Sequence, residues 1–339
     1  MTPVPKTQYG FVYNTTSGLQ LNESLPIPTL KPGQLLLKVE AAGLCHSDLH
    51  ILYEGLYCGD NYVMGHEIAG TVIKTEQDEA GAYKIGDRVA CFGANGCGNC
   101  EFCRKGNDND CPNAFYNWFG LGSDGGYQQY LLVKNPRNLV KIPDNVDFAE
   151  AAAITDAALT PYHAIKLAKV NPLTNLLIIG AGGLGTNAIQ IARTFGAQIT
   201  VLDKKQKALD IVKKLDPELK AYTELPEDLA KGSFDVILDL VGAQQTFELS
   251  EKYVKSKGII VPVGLGASKL TFDLSNLALR EISLLGSFWG TSQDLVECLE
   301  LARQGKIKPQ LHTISLKELP KAIEQLRNGQ YEGRTVLIP

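Results

Sequence analysis

The sequence predicts an α/β protein of two domains, one a doubly wound parallel sheet and the other rich in β-strand. Three observations carry this reading. At 339 residues the chain exceeds what a single hydrophobic core usually organises. From residue 175 onward strand and helix patterns alternate, the mark of parallel strands joined by right-handed crossovers. Before that point the pattern is one of short apolar runs broken by turns.

The elements follow in order. QLLLKVEA (34–41) alternates apolar and polar residues like a half-buried strand, and residues 70–74 and 87–92 are similar short runs. Residues 93–113, dominated by Gly and Asn, read as a loop that needs something to hold it. A helix is expected to start near Asp156 or Thr160, with Pro161 in its first turn. NLLIIG (175–180) is a strand followed by helical spacing from Leu184 to Phe195. QITVLD (198–203) and the helix Lys204 to Leu215 come next. FDVILDLVG (234–242) and GIIVPVG (258–264) flank a helix from Ala243 to Val254, and ISLLGS (282–287) closes the series. Residues 292–327 read as mostly helical, and Thr335 to Ile338 as a last strand.

Composition excludes several classes. Hydrophobic residues make up 44% and charged residues 21%, ordinary for a soluble globular protein. A net charge of −4 is too mild to suggest a nucleic acid or an anionic membrane as partner. No apolar run is long enough to span a bilayer, and the N-terminal residues lack the apolar core of a signal peptide. A cytoplasmic location is the simplest expectation.

Four of the eight cysteines crowd together as Cys97, Cys100, Cys103 and Cys111. In a reducing compartment such a cluster reads as metal ligation. Four thiolates can surround one zinc ion and leave no place for water, so the site is structural. An iron–sulfur cluster also takes four thiolates, but in other spacings. A second constellation is dispersed: Cys45-His46-Ser47-Asp48-Leu49-His50, then Gly65-His66-Glu67. A catalytic zinc takes three protein ligands and keeps the fourth place open, and Cys45 and His66 supply two candidates.

Gly180-Ala181-Gly182-Gly183-Leu184-Gly185 follows a strand and opens a helix, the context in which this motif binds a dinucleotide in a Rossmann-type sheet. Gly180 permits the turn, Gly182 leaves room for the pyrophosphate, and Gly185 lets the helix approach the sheet. Asp203 ends the next strand, where it can accept hydrogen bonds from a ribose and disfavour a 2′-phosphate. NAD is therefore expected over NADP, although Lys204 and Lys205 stand beside it. Read alone, Asp203 is equally a cap for the helix at Lys204.

Cys45-His46-Ser47-Asp48-x-His50, Gly65-His66-Glu67-x2-Gly70, Lys84-Ile85-Gly86-Asp87-Arg88-Val89, the four-cysteine loop and the glycine motif occur in that order over nearly the whole chain. Together they resemble the medium-chain zinc alcohol dehydrogenases. The nearest resemblance, through Tyr62-Val-Met-Gly-His-Glu67 and Phe288-Trp-Gly290, is to yeast carbonyl reductases and secondary-alcohol dehydrogenases. The resemblance implies a GroES-like catalytic domain (residues 1–156 and 287–339, with a structural zinc lobe at 93–113) and an NAD-binding Rossmann domain (157–286). It also implies hydride transfer between NAD(H) and an alcohol, ketone or aldehyde, a catalytic and a structural zinc, and a homodimer or homotetramer.

The residue roles it implies are these. Asp156 stands where liver-type enzymes carry a cysteine and completes the catalytic zinc set, as in the secondary-alcohol branch; read alone, it is an N-cap. Ser47 and His50 relay the proton, Asp48 orients His66, and Glu67 is a transient ligand. His46 meets the pyrophosphate, Thr160 the nicotinamide, and Arg334 the cofactor phosphates from the last strand; Gly183 and Leu184 belong to the glycine turn. Leu56, Trp118, Phe288 and Trp289 are candidate walls of the substrate pocket. Glu76 departs from the family pattern, which has a small residue there, so the loop from Thr75 to Tyr83 is expected to differ. Two other readings remain: a polyol or diol dehydrogenase on the same scaffold, and a non-catalytic, zinc-stabilised nucleotide-binding protein.

Overall fold

A computed structural model of the protein describes residues 4–56, 58–76, 81–114 and 117–339. The chain divides into two compact units. One comprises Met1–Asp156, Thr291–Arg303 and Leu311–Pro339; the other comprises Ala157–Gly290 and Gln304–Gln310.

The first unit is built on a seven-stranded sheet. Its order is Leu139–Lys141, Arg88–Cys91, Glu67–Thr75, Leu35–Leu44, Arg334–Ile338, Leu311–Ser315, with Tyr130–Val133 also paired to Leu35–Leu44. Neighbours run antiparallel except the last pair, which is parallel. Leu35–Leu44 is more buried than its alternation suggests: Lys38 alone is exposed. The reason is the helix Phe148–Ala153, which packs on this strand and on Glu67–Thr75. Ala149, Ala151, Ala152 and Ala153 keep that helix thin enough to lie close. A three-stranded sheet, Gly18–Pro26, Thr7–Asn14 and Tyr62–Val63, flanks the main one.

The second unit holds six parallel strands in the order Lys220–Tyr222, Gln198–Leu202, Asn175–Ile179, Phe234–Asp239, Val254–Pro262, Ser283–Leu284. Helices Gly183–Thr194, Gln206–Leu215 and Gln244–Tyr253 supply the crossovers. Leu177, Ile179, Ile237, Ile260, Phe234 and Phe247 form a buried core cluster. At about 1.5–3 kcal/mol per buried side chain, packing of this kind outweighs any local propensity. The strand order reverses between Asn175–Ile179 and Phe234–Asp239, and at that switch point the carboxyl ends of the strands open a crevice.

Several sequence expectations need correction. The helix expected near Asp156 or Thr160 is Leu159–Leu167, with Pro161 in its first turn. A helix the sequence reading missed precedes it, Phe148–Ala153, which Asp147 caps: Glu150 N–H donates to Asp147 Oδ1 at 2.7 Å and Asp147 N–H to Glu150 Oε2 at 3.3 Å. Asp156 is therefore no N-cap. It lies inside a π-helical turn, Ile154–Ala158, ahead of the helix Leu159–Leu167. The stretch 292–327 is mostly helical as expected, but it also holds a strand the sequence reading missed, Leu311–Ser315, between the helices Ser292–Arg303 and Leu319–Arg327. ISLLGS contributes only Ser283–Leu284 to the sheet, as an exposed edge. Glu76 continues the backbone pairing of its strand, exchanging hydrogen bonds with the segment at Gly33 and Gln34. Residues 77–80 of the loop that follows lie outside the described residues. Among the described residues no helix is long and apolar enough to cross a membrane.

The glycine turn shows why each glycine stands where it does. Gly180 has φ +95°, a backbone that side chains resist. A Cβ on Gly185 would sit 2.0 Å from the Gly180 carbonyl oxygen, whereas one on Gly182 would meet nothing within 4 Å. Gly185→Ala should therefore cost about 1–3 kcal/mol of stability, as an overpacked site does. Gly182→Ala should change stability by less than about 0.5 kcal/mol. Urea denaturation of the two variants checks the contrast, and equal losses would refute the packing account.

Candidate functional site

Cys45 ends the strand Leu35–Leu44 and caps the helix His46–Tyr53, so its thiol stands at a fixed junction. Asp48, three residues on, accepts the Cys45 N–H at 2.9 Å and is fully buried. It also accepts the Tyr127 hydroxyl at 2.8 Å and lies 3.6 Å from His66 Nδ1. His66 precedes the strand Glu67–Thr75 and is 2% exposed. Its Nε2 points the other way, to Asp156 Oδ2 at 3.8 Å. The π turn thus carries Asp156 into the first unit's cluster, where Oδ2 also lies 3.3 Å from Cys45 Sγ. Such turns recur at functional sites because the extra residue redirects one side chain.

The donor atoms of Cys45, His66, Glu67 and Asp156 all lie within 4.8 Å of one another. A tetrahedral zinc with spokes of roughly 2.0–2.3 Å needs ligand atoms about 3.4–3.6 Å apart. The separations at Asp156 Oδ2, 3.3 Å to sulfur and 3.8 Å to nitrogen, bracket that range. Electrostatics agree. Burial lowers the His66 pKa, but the Asp48 charge, with the hydrogen bonds its ring gives to Asp156, Asp48 and Cys45, holds it well above its usual value. Burial drives the Glu67 carboxyl well above its usual range; Arg334 pulls it down, and Asp156 and Cys45 push it up. A cluster that rich in anionic groups fits a divalent cation.

Cys97, Cys100, Cys103 and Cys111 form the second cluster, again within 4.8 Å. The Cys100 and Cys111 sulfurs are 3.7 Å apart, matching the edge of about 3.8 Å in a four-sulfur tetrahedron around zinc. Hydrogen bonds from the Asn113 amide and the Asn99 and Cys100 N–H groups hold the Cys97 thiol down to about 6, in its metal-binding form. Arg137 braces the lobe, donating to Asp108 Oδ2 at 3.1 Å and to the Cys103 carbonyl at 3.3 Å.

The other expected residues fall as follows. His46 and Ser47 occupy the first and second positions of the helix, so Ser47 is not its cap. Ser47 Oγ lies 3.6 Å from Cys45 Sγ. His50 Nδ1 lies 2.6 Å from Glu54 Oε2, a partner that sequence reading missed. Arg334 was expected on cofactor phosphates. It is buried, with Nη2 3.1 Å from Glu67 Oε1 and 3.3 Å from Asp156 Oδ2. Leu56, 40% exposed, and buried Trp118 belong to the first unit. Thr160, Phe288 and Trp289 belong to the second; Phe288 is 44% exposed and packs edge-on against buried Trp289. Asp203 Oδ2 accepts the Ala181 N–H at 2.7 Å and Oδ1 the Lys205 N–H at 2.8 Å, so the carboxylate braces the glycine turn. The next helix starts at Gln206 with Lys205 as its cap, so Asp203 is not its N-cap.

Tyr127 is the main omission from the sequence reading. It is fully buried, its ring fills the space beside Gly65, and its hydroxyl also reaches the Gly43 carbonyl at 3.1 Å. The only signal was the pair Gly125-Gly126 before it, which permits the close packing around Gly65.

The class these features define is that of metal-containing dehydrogenases, with a dinucleotide turn on one unit and an ion site on the other. Residues 31–144 match the alcohol dehydrogenase GroES-like domain, and residues 183–304 match the zinc-binding dehydrogenases. The NAD-dependent alcohol dehydrogenase of Sulfurisphaera tokodaii is 36% identical over 337 residues, covering 94% of this chain and 96% of the relative. Alcohol dehydrogenase 1 of Emericella nidulans is 34% identical over 351 residues, 98% of each chain. Among solved structures, the acetophenone reductase of Geotrichum candidum in complex with NAD superposes with a TM-score of 0.93 at 45% identity, covering 99% of this chain and 98% of that one. The chain belongs to the medium-chain zinc-dependent alcohol dehydrogenase family.

Tyr127→Phe removes one hydrogen bond to a buried carboxylate, a contact worth about 1.5–3 kcal/mol. The unfolding free energy in urea should fall by about that amount; an unchanged value would show that the Asp48 contact contributes nothing.

Proposed function

We propose that this protein is a zinc-dependent, NAD(H)-linked alcohol dehydrogenase that works as a carbonyl reductase on ketones and secondary alcohols. The observation that carries the reading is that donor atoms of Cys45, His66, Glu67 and Asp156 lie within 4.8 Å of one another, close enough to share one ion. Cys45, His66 and Asp156 hold the catalytic zinc, and Cys97, Cys100, Cys103 and Cys111 hold the structural one. When bound, zinc polarises the substrate oxygen and the nicotinamide gives or takes a hydride.

The chain's own residues do the rest. Asp48 orients the ring of His66 through the charge it sets 3.6 Å from Nδ1, which leaves Nε2 for the ion. Ser47 Oγ gives and takes the substrate's proton, and His50, held by Glu54, exchanges it with solvent. Glu67 is the reserve ligand. Gly180, Gly182, Gly183, Leu184 and Gly185 cradle the pyrophosphate with the helix N-terminus, and His46 and Thr160 touch the cofactor. Asp203 supports NAD, since a 2′-phosphate would meet its charge. Leu56 and Trp118 on one unit and Phe288 and Trp289 on the other are the proposed substrate-facing residues. The likeness to an acetophenone reductase supports ketones over polyols.

Eight free thiols suit the reducing cytoplasm. A dimer or tetramer fits the apolar residues exposed near the sheet edge, Leu279 and Leu284 among them.

Purified protein should contain two equivalents of zinc and oxidise NADH, in preference to NADPH, with ketones; a chelator should abolish this. Asp156→Ala should lose one zinc and more than about 100-fold in kcat/KM, beyond what losing a residue that only supports a ligand costs. Full activity in that variant would remove Asp156 from the ligand set.

A further inference from the structure

Arg334 opens the strand Arg334–Ile338 and is 4% exposed. Nη1 donates to the Leu44 carbonyl at 3.2 Å, which aims the guanidinium along the end of the strand before Cys45. Nη2 lies 3.1 Å from Glu67 Oε1 and 3.3 Å from Asp156 Oδ2. This Oδ2 is the same oxygen that faces Cys45 Sγ and His66 Nε2. One carboxylate oxygen is therefore claimed both by a resident cation and by the point where the zinc ligands converge. The charges are instructive. Cys45, Glu67 and Asp156 as anions sum to minus three, and a divalent ion with Arg334 balances them.

We propose that Arg334 is a positioning residue that sets how tightly the cluster holds its metal. Resting on the zinc reading above, it draws Asp156 Oδ2 and Glu67 Oε1 toward itself. It thereby keeps the metal-free cluster assembled, weakens its pull on a second cation, and holds Glu67 in reserve. Burial works against the charge on Arg334, but Glu67, Cys45 and Asp156 more than restore it. A lone packing role would leave metal affinity untouched.

The test is zinc titration of the metal-free full-length protein at pH 8, in competition with a chromophoric chelator. Occupancy of this cluster is read from protection of Cys45 against alkylation by mass spectrometry. Arg334→Gln removes a positive charge a few ångströms from the ion and should tighten zinc binding by about tenfold or more. Arg334→Lys, which keeps the charge, should stay within about threefold of the parent. Unchanged or weaker binding in Arg334→Gln overturns the proposal.

If Arg334→Gln does not fold, the double variant Glu67→Gln/Arg334→Gln decides, because it keeps the parent's net charge. Folding with near-parental zinc affinity supports the proposal. Failure of the double variant to fold assigns Arg334 to packing and overturns it. A parent protein in which zinc never protects Cys45 would sink the metal reading itself, a separate outcome from any effect of the variants.

Discussion

The first unit is organised around buried charge. Three groups able to carry negative charge, buried Cys45 and Glu67 and the largely covered Asp156, meet beside the imidazole of His66. Each buried ion costs several kcal/mol unless it is paired, an amount comparable to the whole stability of a domain. The fold can tolerate the cluster only by supplying cations. Arg334 is one, delivered by the last strand, and the cluster's geometry suits a divalent ion as the other. Much of the local architecture follows from that need. Gly43 has no side chain because a Cβ would lie 1.8 Å from Glu67 Oε2, and Gly65 has none because Tyr127 fills its space. The π turn exists where an ordinary α-helical residue would point Asp156 elsewhere.

The second unit solves a different problem, by backbone shape rather than by charge. Its glycine turn brings helix Gly183–Thr194 against the turn's own carbonyl and leaves open space at Gly182. Across the switch point, fully buried Asp239 accepts the N–H groups of Val241 and Gly242 at 3.0 Å and the Thr246 hydroxyl at 2.7 Å. Two loops at the crevice are thus braced by carboxylates at strand ends, Asp203 on one side and Asp239 on the other. Rigid walls let a phosphate-bearing ligand bind without first ordering the loops.

What could be read from the sequence was what depends on local spacing. The glycine turn, the four-cysteine lobe and the parallel strands all declare themselves within a few tens of residues. Cys45, His66 and Asp156 emerged as a set only through family resemblance, because nothing local joins residues so far apart. The misreadings have the same origin. Leu311–Ser315 was absorbed into a helical stretch because its strand character comes from pairing with Arg334–Ile338. The π turn at Asp156 went unforeseen because such a turn has no residue signature of its own. The ion pairs of Arg334 went unseen because its partners, Glu67 and Asp156, are respectively 267 and 178 positions away along the chain. Tyr127, 79 positions from Asp48, was invisible for the same reason.

The carboxylate at position 156 matters beyond its charge. A thiolate there would bind a metal at least as well, but it accepts hydrogen bonds weakly and offers a single large atom. A carboxylate oxygen is a strong acceptor that a guanidinium and a metal can both address. Asp156 can therefore belong at once to the ion site and to the arginine that opposes it, and a cysteine could not do this as well. On the proposed ligand assignment, oxygen in place of sulfur would leave the metal more electrophilic, and it would tie the site to the strand that carries Arg334, whose Nη2 lies 3.3 Å from Asp156 Oδ2. One oxygen atom would then couple the proposed metal site to the final strand of the fold.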